Sequence, residues 1–465
     1  MKVPWIKNSD ELIKRKMMEF LGIESIEELF RDVPESVRLR GVLRVGLRDD
    51  GRGVSEYELI RLAKRVREGI RFPRIPPFAG IEHCYHVVPS LVKELISRGE
   101  FYTAYTPYAF EINQGVLQAL FEYQSLLAEL YGVEVINASM YDGSTALAEA
   151  ARMALRITRR SKILVSKGLS PLKKRVLETW LYGVRAKLEY VDLDVNGTTD
   201  VDEIRKRIDR DTAALIVETP NVYGVVETRI EEFSQLCHEK GALLIVFANP
   251  LLLGLVKPPG ELGADIVVGE GQPLGLGMFY GGSTLGILGT RSDLKFVRQL
   301  PGRLVGMTLT EDGREVAYAL VMQTREQHIR RERATSNITT NSALMAIAAA
   351  VYLSVLGADG LRRLSLSIAS RTMYLKDRLS ELKGITVLYR KSFNFMKASV
   401  KVEKMSVQAL IRRVRERGIL CGSDLSRYGY GEGIMTICVT EAHSRRDIDE
   451  LVEILREVVE GVEAS

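Results

Sequence analysis

Between residues 162 and 268, short apolar stretches alternate with amphipathic ones at a spacing that few folds accept. Candidate strands lie at 162–165, 187–191, 213–217, 242–247 and 265–268, with helical segments at 172–182, 201–208 and 230–240 between most of them. A strand reaches a parallel neighbour only through a crossover long enough to hold a helix, so this alternation predicts an α/β protein with a mainly parallel sheet covered on both faces. In such sheets, ligand chemistry sits in the loops that follow the strands. Those loops are Ser-Lys-Gly-Leu-Ser-Pro at 166–171, Glu-Thr-Pro-Asn at 218–221, Asn249-Pro250, and Gly-Glu-Gly-Gln-Pro-Leu-Gly-Leu-Gly at 269–277. The last offers Glu270 and Gln272 but no Lys, His, Cys or Ser between 265 and 282. A further, antiparallel strand is expected at 284–289.

The flanks divide the chain into three. Residues 1–75 read as a charged helical arm laid over another surface, or else a small helical domain. Asp10 is placed to cap a helix through Met18, further short helices fall at 24–30 and 55–68, and the segment ends in the stiff Phe-Pro-Arg-Ile-Pro-Pro-Phe at 72–78. Residues 76–325 hold the large α/β domain. Residues 326–465 hold an Ala-rich helix and a small α+β domain, with strands near 385–389, 397–402 and 434–439 and helices near 361–379 and 406–417.

Two loops carry polar side chains in unusual density. Phe-Tyr-Thr-Ala-Tyr-Thr-Pro-Tyr at 101–108 places Tyr102, Thr103, Tyr105, Thr106 and Tyr108 beside a proline, which suits either the lining of a polar pocket or a buried aromatic loop. Asn-Ala-Ser-Met-Tyr-Asp-Gly-Ser-Thr at 137–145 leads into a helix expected at 146–157. Its N-terminal amides suit a phosphate or carboxylate, although plain capping by Asp142 or Ser144 is the simpler account. Gln323 to Arg333 is a dense polar helix start with charges of alternating sign, either a solvated face or a subunit interface laced with ion pairs.

Composition excludes several classes. A net charge of +5, set against 65 basic and 60 acidic groups, gives no argument for nucleic acid. The most apolar run, 343–356, is too short and Ala-rich for a membrane span. Cys84, Cys237, Cys421 and Cys438 are few and far apart, so no disulfide framework or zinc spacing is expected, and a reducing cytoplasm fits. The charged N-terminus is not that of a signal peptide. Gly269-Glu270-Gly271 begins a dinucleotide fingerprint, but Leu274 replaces its third glycine. His83-Cys84-Tyr85-His86 is read as a packed turn rather than a metal site, because no second cluster supports it.

Several of these stretches together resemble one family. They are 101–108, 137–143, Val-Val-Gly-Glu-Gly-Gln-Pro-Leu-Gly at 267–275, Pro-Gly-Arg-Leu-Val-Gly at 301–306, and Arg-Glu-Gln-His-Ile-Arg-Arg-Glu at 325–332. They resemble the glycine decarboxylase, or P protein, of the glycine cleavage system, in subunit 1 of its two-subunit form, over nearly the whole chain. The resemblance implies the fold-type I pyridoxal-phosphate transferase fold, whose cofactor forms a Schiff base with a lysine in the loop after a core strand. By that resemblance Gln272 occupies the lysine position, Asn249 the acid position beside the pyridine nitrogen, and Ser170 a place where relatives often carry His. Neither Gln272 nor Asn249 can do the cofactor's chemistry, so no catalytic or cofactor-binding residue is expected on this chain.

The resemblance further implies a lysine-bearing subunit 2 that carries the pyridoxal phosphate, a dimer of heterodimers, glycine as substrate and the lipoyl H protein as acceptor. Tyr102, Thr103, Tyr105, Thr106 and Tyr108 are the candidate channel lining. Two rivals stand beside this reading. One is a self-sufficient pyridoxal-phosphate aminotransferase or lyase using Lys167 or Lys257, and the other is a non-catalytic scaffold.

Overall fold

The computed structural model describes residues 5–39, 53–102, 104, 106–278, 282 and 284–461, and the chain divides into two units, Met1–Phe72 and Pro73–Ser465. In the first unit, α1 (Glu11–Leu21) starts where the Asp10 carboxylate accepts from the Leu12 amide. Helix α2 (Glu56–Gly69) starts at a reciprocal capping box of Ser55 and Glu58. Neither helix buries a residue, and Trp5 and Phe20 are 84% and 90% exposed. The turn glycines Gly41, Gly46 and Gly51 lie outside the described residues.

The second unit is built on a seven-stranded sheet. Its elements run α3 (Gln114–Tyr131), β1 (Val135–Ile136), α4 (Gly143–Thr158), β2 (Lys162–Ser166), α5 (Pro171–Tyr182), β3 (Lys187–Val191), α6 (Val201–Arg207), β4 (Thr212–Thr219), α7 (Ile230–Glu239), β5 (Leu243–Ala248), β6 (Ile266–Glu270) and β7 (Gly286–Thr290). The strand order is β1-β7-β6-β5-β4-β2-β3. Strands β3, β2, β4, β5 and β6 are parallel, and β7 and β1 close one edge antiparallel. Every residue of β2, β4, β5 and β6 is buried, as apolar runs between two helical layers require. Alternate residues serve opposite cores. Leu164, Leu215, Leu244 and Val267 pack with α3, whereas Ile163, Ala214, Ile245 and Val268 pack with α4 and α5.

After β7 the structure departs from the sequence reading at two places. A hairpin, β8 (Leu304–Leu309) with β9 (Val316–Val321), occupies a stretch read only as a motif. The polar run 323–333 is not one helix start but three short turns, Gln323–Arg325, Gln327–Arg330 and Arg331–Arg333, with Arg331 at φ 53°. Burial of Arg325 and Glu326 there outweighs helix propensity. The Ala-rich helix and the helix expected at 361–379 are both present, and together they make up α8 (Ala343–Leu379), two helical segments that meet at a kink at Gly357, whose φ of 61° and ψ of −179° are open mainly to glycine. By length and composition α8 could cross a membrane, but Ala346, Ile347, Ala349 and Tyr352 lie within the core beside α3, so it is a core helix.

The chain ends in a four-stranded antiparallel sheet, β10 (Ile385–Val387), β11 (Lys397–Val402), β12 (Ser423–Asp424) and β13 (Ile434–Cys438), in the order β10-β11-β13-β12. Helices α9 (Val407–Glu416) and α10 (Arg445–Glu460) pack on it through Leu410, Val414, Leu451 and Leu455. One expectation about cysteine is corrected. Cys84 and Cys438, 354 residues apart, form a disulfide that ties the segment before α3 to β13, while Cys237 and Cys421 are free and buried. Spacing carries no information about a pairing so distant in sequence.

Candidate functional site

The carboxyl ends of β4, β5 and β6 meet at a crevice. A cavity of about 190 Å³ is lined by Glu82, His83, Asp142, Lys173, Phe247 and Glu270. A second, of about 30 Å³, shares four of these residues and adds Glu218, Asn249 and Lys397. Charged side chains fill the space between them. Lys173, on the first turn of α5, donates to the Glu82 carboxylate, lies 3.0 Å from Glu218 Oε1, and has its ammonium 4.3 Å above the Phe247 ring. It also donates to Ser170 Oγ at 3.0 Å. Ser170 Oγ donates to Glu82 at 2.5 Å, and its amide to Glu218 at 2.7 Å. Lys397, on β11, donates to the Ile81 carbonyl.

Two buried carboxylates thus face two buried ammonium groups. Burial alone raises the Glu82 carboxyl, but the charge and hydrogen bond of Lys173 outweigh it and hold Glu82 below its ordinary range. Burial lowers Lys173, yet Glu218 and Glu82 bring it above the usual lysine value. Lys397 lies deeper than its counter-charges can offset, and burial lowers it.

The N-terminus of α4 faces the same crevice, and carboxylates of the chain already occupy its amides. Asp142 Oδ1 accepts from the Ser144 and Thr145 amides at 2.8 and 2.9 Å. Glu270 Oε2 accepts from Gly143 at 2.8 Å, and Oε1 accepts from Gln272 and Leu285 at 3.0 and 3.2 Å. A Cβ at Gly143 would stand 3.0 Å from both Glu270 Cβ and the Phe247 ring, so helix and strand end meet in contact. Burial lifts the Glu270 carboxyl to about 7 despite its three amide donors.

The expected positions behave differently. Gln272 is buried, and its amide donates to the Cys84 and Leu276 carbonyls at 3.2 Å each, while Oε1 has no partner among the described residues. Asn249 lines the smaller cavity, but its side-chain oxygen accepts from the Leu251 amide at 2.9 Å. Lys167 is half exposed and paired with Asp192, and Lys257 is exposed, so neither lines the crevice. Sequence reasoning placed Glu218 in a strand-end loop but missed its partners Glu82, Lys173 and Lys397. Those three come from separate parts of the chain, and no local pattern marks them.

A second cluster gathers the hydroxyl-rich loops. Arg303 is 1% exposed and meets the Glu326 carboxylate, the Tyr108 hydroxyl and the Thr339 carbonyl, with its guanidinium 5.1 Å from the Tyr108 ring centre. Arg325, also buried, donates to the Gly302 carbonyl at 2.8 Å, and burial, with Arg303 beside it, lowers its guanidinium to about 10. The Tyr141 hydroxyl accepts from Thr339, Asn341 donates to the Ala138 carbonyl, and the Thr106 and Thr340 hydroxyls lie 2.9 Å apart. Stretches 101–108, 137–143, 301–306 and 325–332 therefore converge in space. Tyr102 and Tyr108, the two described tyrosines of the 101–108 loop, are exposed. Thr103 and Tyr105 lie outside the described residues.

A parallel sheet with an antiparallel edge, followed by a small C-terminal sheet, is the architecture of fold-type I pyridoxal-phosphate enzymes. The chain superposes on a sphingosine-1-phosphate lyase from Burkholderia pseudomallei with a TM-score of 0.63 at 14% identity, over 92% of this chain and 94% of that one. It superposes on a NifS-like protein with a TM-score of 0.61 at 15% identity, over 84% and 100%. These likenesses speak for the fold alone. The family follows from closer relatives. The model of the glycine cleavage system P-protein matches residues 6–455. Probable glycine dehydrogenase (decarboxylating) subunit 1 from Aeropyrum pernix is 45% identical over 99% of this chain and 100% of its own. The protein of that name from Sulfurisphaera tokodaii is 45% identical over 98% and 99%. A crystal structure of glycine decarboxylase (P-protein), in inhibitor-bound form, superposes with a TM-score of 0.86 at 39% identity, over 98% and 99%. The chain belongs to the P-protein family of the glycine cleavage system.

Pyridoxal phosphate does not fit this crevice as it stands. A phosphate would need the α4 amides that Asp142 and Glu270 hold, and it would lie among the carboxylates of Asp142, Glu270 and Glu82. The face of the Phe247 ring is already taken by the Lys173 ammonium, which Glu82 and Glu218 hold in place. The loop after β6 offers no lysine.

Proposed function

We propose that this chain is the subunit without cofactor in a two-subunit glycine dehydrogenase (decarboxylating), paired with a lysine-bearing subunit of the same fold in a dimer of heterodimers. The complex releases carbon dioxide from glycine and passes the aminomethyl group to the lipoyl group of the H protein, with pyridoxal phosphate carried by the partner. The observation that carries this reading is the self-paired crevice, in which Glu82, Lys173 and Glu218 satisfy one another and carboxylates cap α4. This chain contributes the surface around Arg303, where Tyr108 and the hydroxyls of Tyr102 and Thr106 line the approach to the partner's site. The exposed apolar residues of Met1–Phe72 support a role for that unit in packing on the partner.

The test is co-expression with the lysine-bearing subunit and assay of glycine–bicarbonate exchange. Exchange is expected only when both chains are present. In that complex Tyr108→Phe, which removes a hydroxyl from Arg303, is expected to lower exchange about tenfold while leaving the stability of the chain within about 1 kcal/mol. The chain alone, treated with pyridoxal phosphate and borohydride, is expected to carry no pyridoxyl group in the crevice. A pyridoxyl adduct on Lys397, the lysine that burial lowers, would favour the self-sufficient enzyme instead.

A further inference from the structure

Away from the crevice, on the C-terminal sheet, α9 and the turn after β12 enclose a groove of about 380 Å³. Arg412 and Arg415 of α9 and Arg427 of the turn line it, with Ile81, Ile411 and Tyr428 as its apolar wall. Most neighbouring arginines have acid partners. Arg378 meets Glu381, Asp449 and Glu453, Arg417 meets Glu457, Arg456 meets Glu453, and Arg74 meets Glu450. Within the groove Arg427 is held by Asp424 at 3.4 Å and by the Gln408 amide oxygen, turned toward it, at 3.1 and 3.2 Å. For Arg412 and Arg415 no carboxylate lies within 4.0 Å among the described residues.

An exposed basic helix face is ordinarily just solvated, so the framing of these two residues matters. Three arginines against one aspartate leave the lining at +2. Arg412 and Arg415 stand three residues apart on one helix, where like charges are neighbours and destabilise each other unless an anion lies between them. The walls are fixed. The Tyr428 ring is covered by the Arg175 guanidinium at 5.4 Å, and at Gly422, where φ is 158°, a Cβ would meet the Thr436 carbonyl at 2.8 Å. The volume falls in the range of small-molecule sites, roughly 300–1,000 Å³.

We propose that this groove binds a small organic dianion, a phosphate monoester or a dicarboxylate, whose charged end bridges Arg412 and Arg415 and whose apolar body lies along Ile411 and Tyr428. Guanidinium forks match both oxyanion geometries, so the two sources share one recognition chemistry. The groove shares no lining residue with the crevice, and its test does not require the partner subunit.

The purified full-length chain is titrated calorimetrically with phenyl phosphate, phthalate and inorganic phosphate. Saturable one-to-one binding of phenyl phosphate or phthalate is expected, with Kd below about 1 mM. The tighter of the two identifies the source. The double variant Arg412→Gln, Arg415→Gln is expected to weaken binding at least tenfold. Arg413→Gln, on the same helix but outside the groove, is expected to leave it unchanged. All three residues are exposed, so both variants should melt with the parent, which separates lost binding from lost folding. Absence of saturable heat with both organic dianions up to about 10 mM overturns the proposal, as does equal weakening by Arg413→Gln. Inorganic phosphate binding as tightly as phenyl phosphate overturns the assignment of an organic body.

Discussion

The crevice at the ends of β4, β5 and β6 and the cluster around Arg303 are both polar, buried and rich in charge, yet they are finished in opposite ways. In the crevice, Lys173 lies between Glu82 and Glu218, Ser170 bonds to both carboxylates, and the helix amides are capped from within the chain. Around Arg303, buried atoms are left over: Arg325 Nε, Glu326 Oε1 and Asn341 Oδ1 have no hydrogen-bond partner among the described residues, whereas at the crevice His83 Nδ1 and Gln272 Oε1 are left so and the charged groups are paired. A buried polar atom without a partner costs about 1–3 kcal/mol, so such a group is retained where something else uses it. The contrast teaches that one scaffold can pair its buried charges with one another in one place and leave buried polar atoms unpaired in another.

Removing the central ammonium is the strongest way to break that comparison. Lys173→Met leaves Glu82 and Glu218 buried with only Lys397 nearby. Breaking one partner of a buried ion pair costs about 3–5 kcal/mol, because the remaining charge keeps its desolvation penalty. The denaturant midpoint of the chain alone should fall accordingly. A variant as stable as the parent would mean that these charges do not hold the crevice together.

A pH series sharpens the comparison within the crevice. Glu270 rises from 4.5 to about 7 in the fold, so the folded state holds that proton more tightly than the unfolded chain does. Stability from this group is present at low pH and is lost as pH rises through about 4.5 to 7. Glu82, held low by Lys173, acts in the opposite sense, and its contribution is lost only on acidification below the ordinary carboxylate range. Between pH 5 and pH 8 the parent should therefore lose up to roughly 3 kcal/mol more than Glu270→Gln. The amide side chain also loses a hydrogen bond to one of its amide donors, but that loss is the same at both pH values and cancels in the difference. Equal slopes for parent and variant would show that Glu270 does not titrate in the fold.

What could be read in advance follows the range of the physics. Strands β3 and β11 begin and end where the sequence reading puts them, because both faces of a strand are written in consecutive residues. The cap of α4 was equally local, an aspartate followed by Gly143, Ser144 and Thr145. Lys173 was not legible. It sits in an amphipathic helix where a lysine ordinarily faces water, and its burial depends on Glu82 and Glu218 arriving from elsewhere. The Cys84–Cys438 bridge and the turns around Arg325 escaped for the same reason, as tertiary contacts that override local preference. Gln272 and Asn249 were singled out through resemblance, and only geometry reveals that their amides are already engaged.

The smallest expected effect comes from restoring the lysine. Gln272→Lys puts an amine where resemblance places the Schiff-base residue, yet it changes nothing else in the crevice. The α4 amides remain bonded to Asp142 and Glu270, so a phosphate group would have to displace carboxylates and lie among like charges. The Lys173 ammonium, held by its two glutamates, still takes the face of the Phe247 ring. Asn249, neutral and engaged with Leu251, cannot keep a pyridine nitrogen protonated as a carboxylate would. Catalysis draws on groups that act together in the transition state, so adding one of several returns almost nothing. The single variant and the double variant with Asn249→Asp, each assayed without the partner, are expected to show no glycine decarboxylation. Because the change is confined to a self-paired crevice, the single variant assembled with the lysine-bearing subunit should keep exchange activity within about twofold of the parent, under half of 1 kcal/mol. Turnover by Gln272→Lys alone would mean that the crevice opens readily and that its ion pairs are no barrier to a cofactor, which would erase the difference between the two regions.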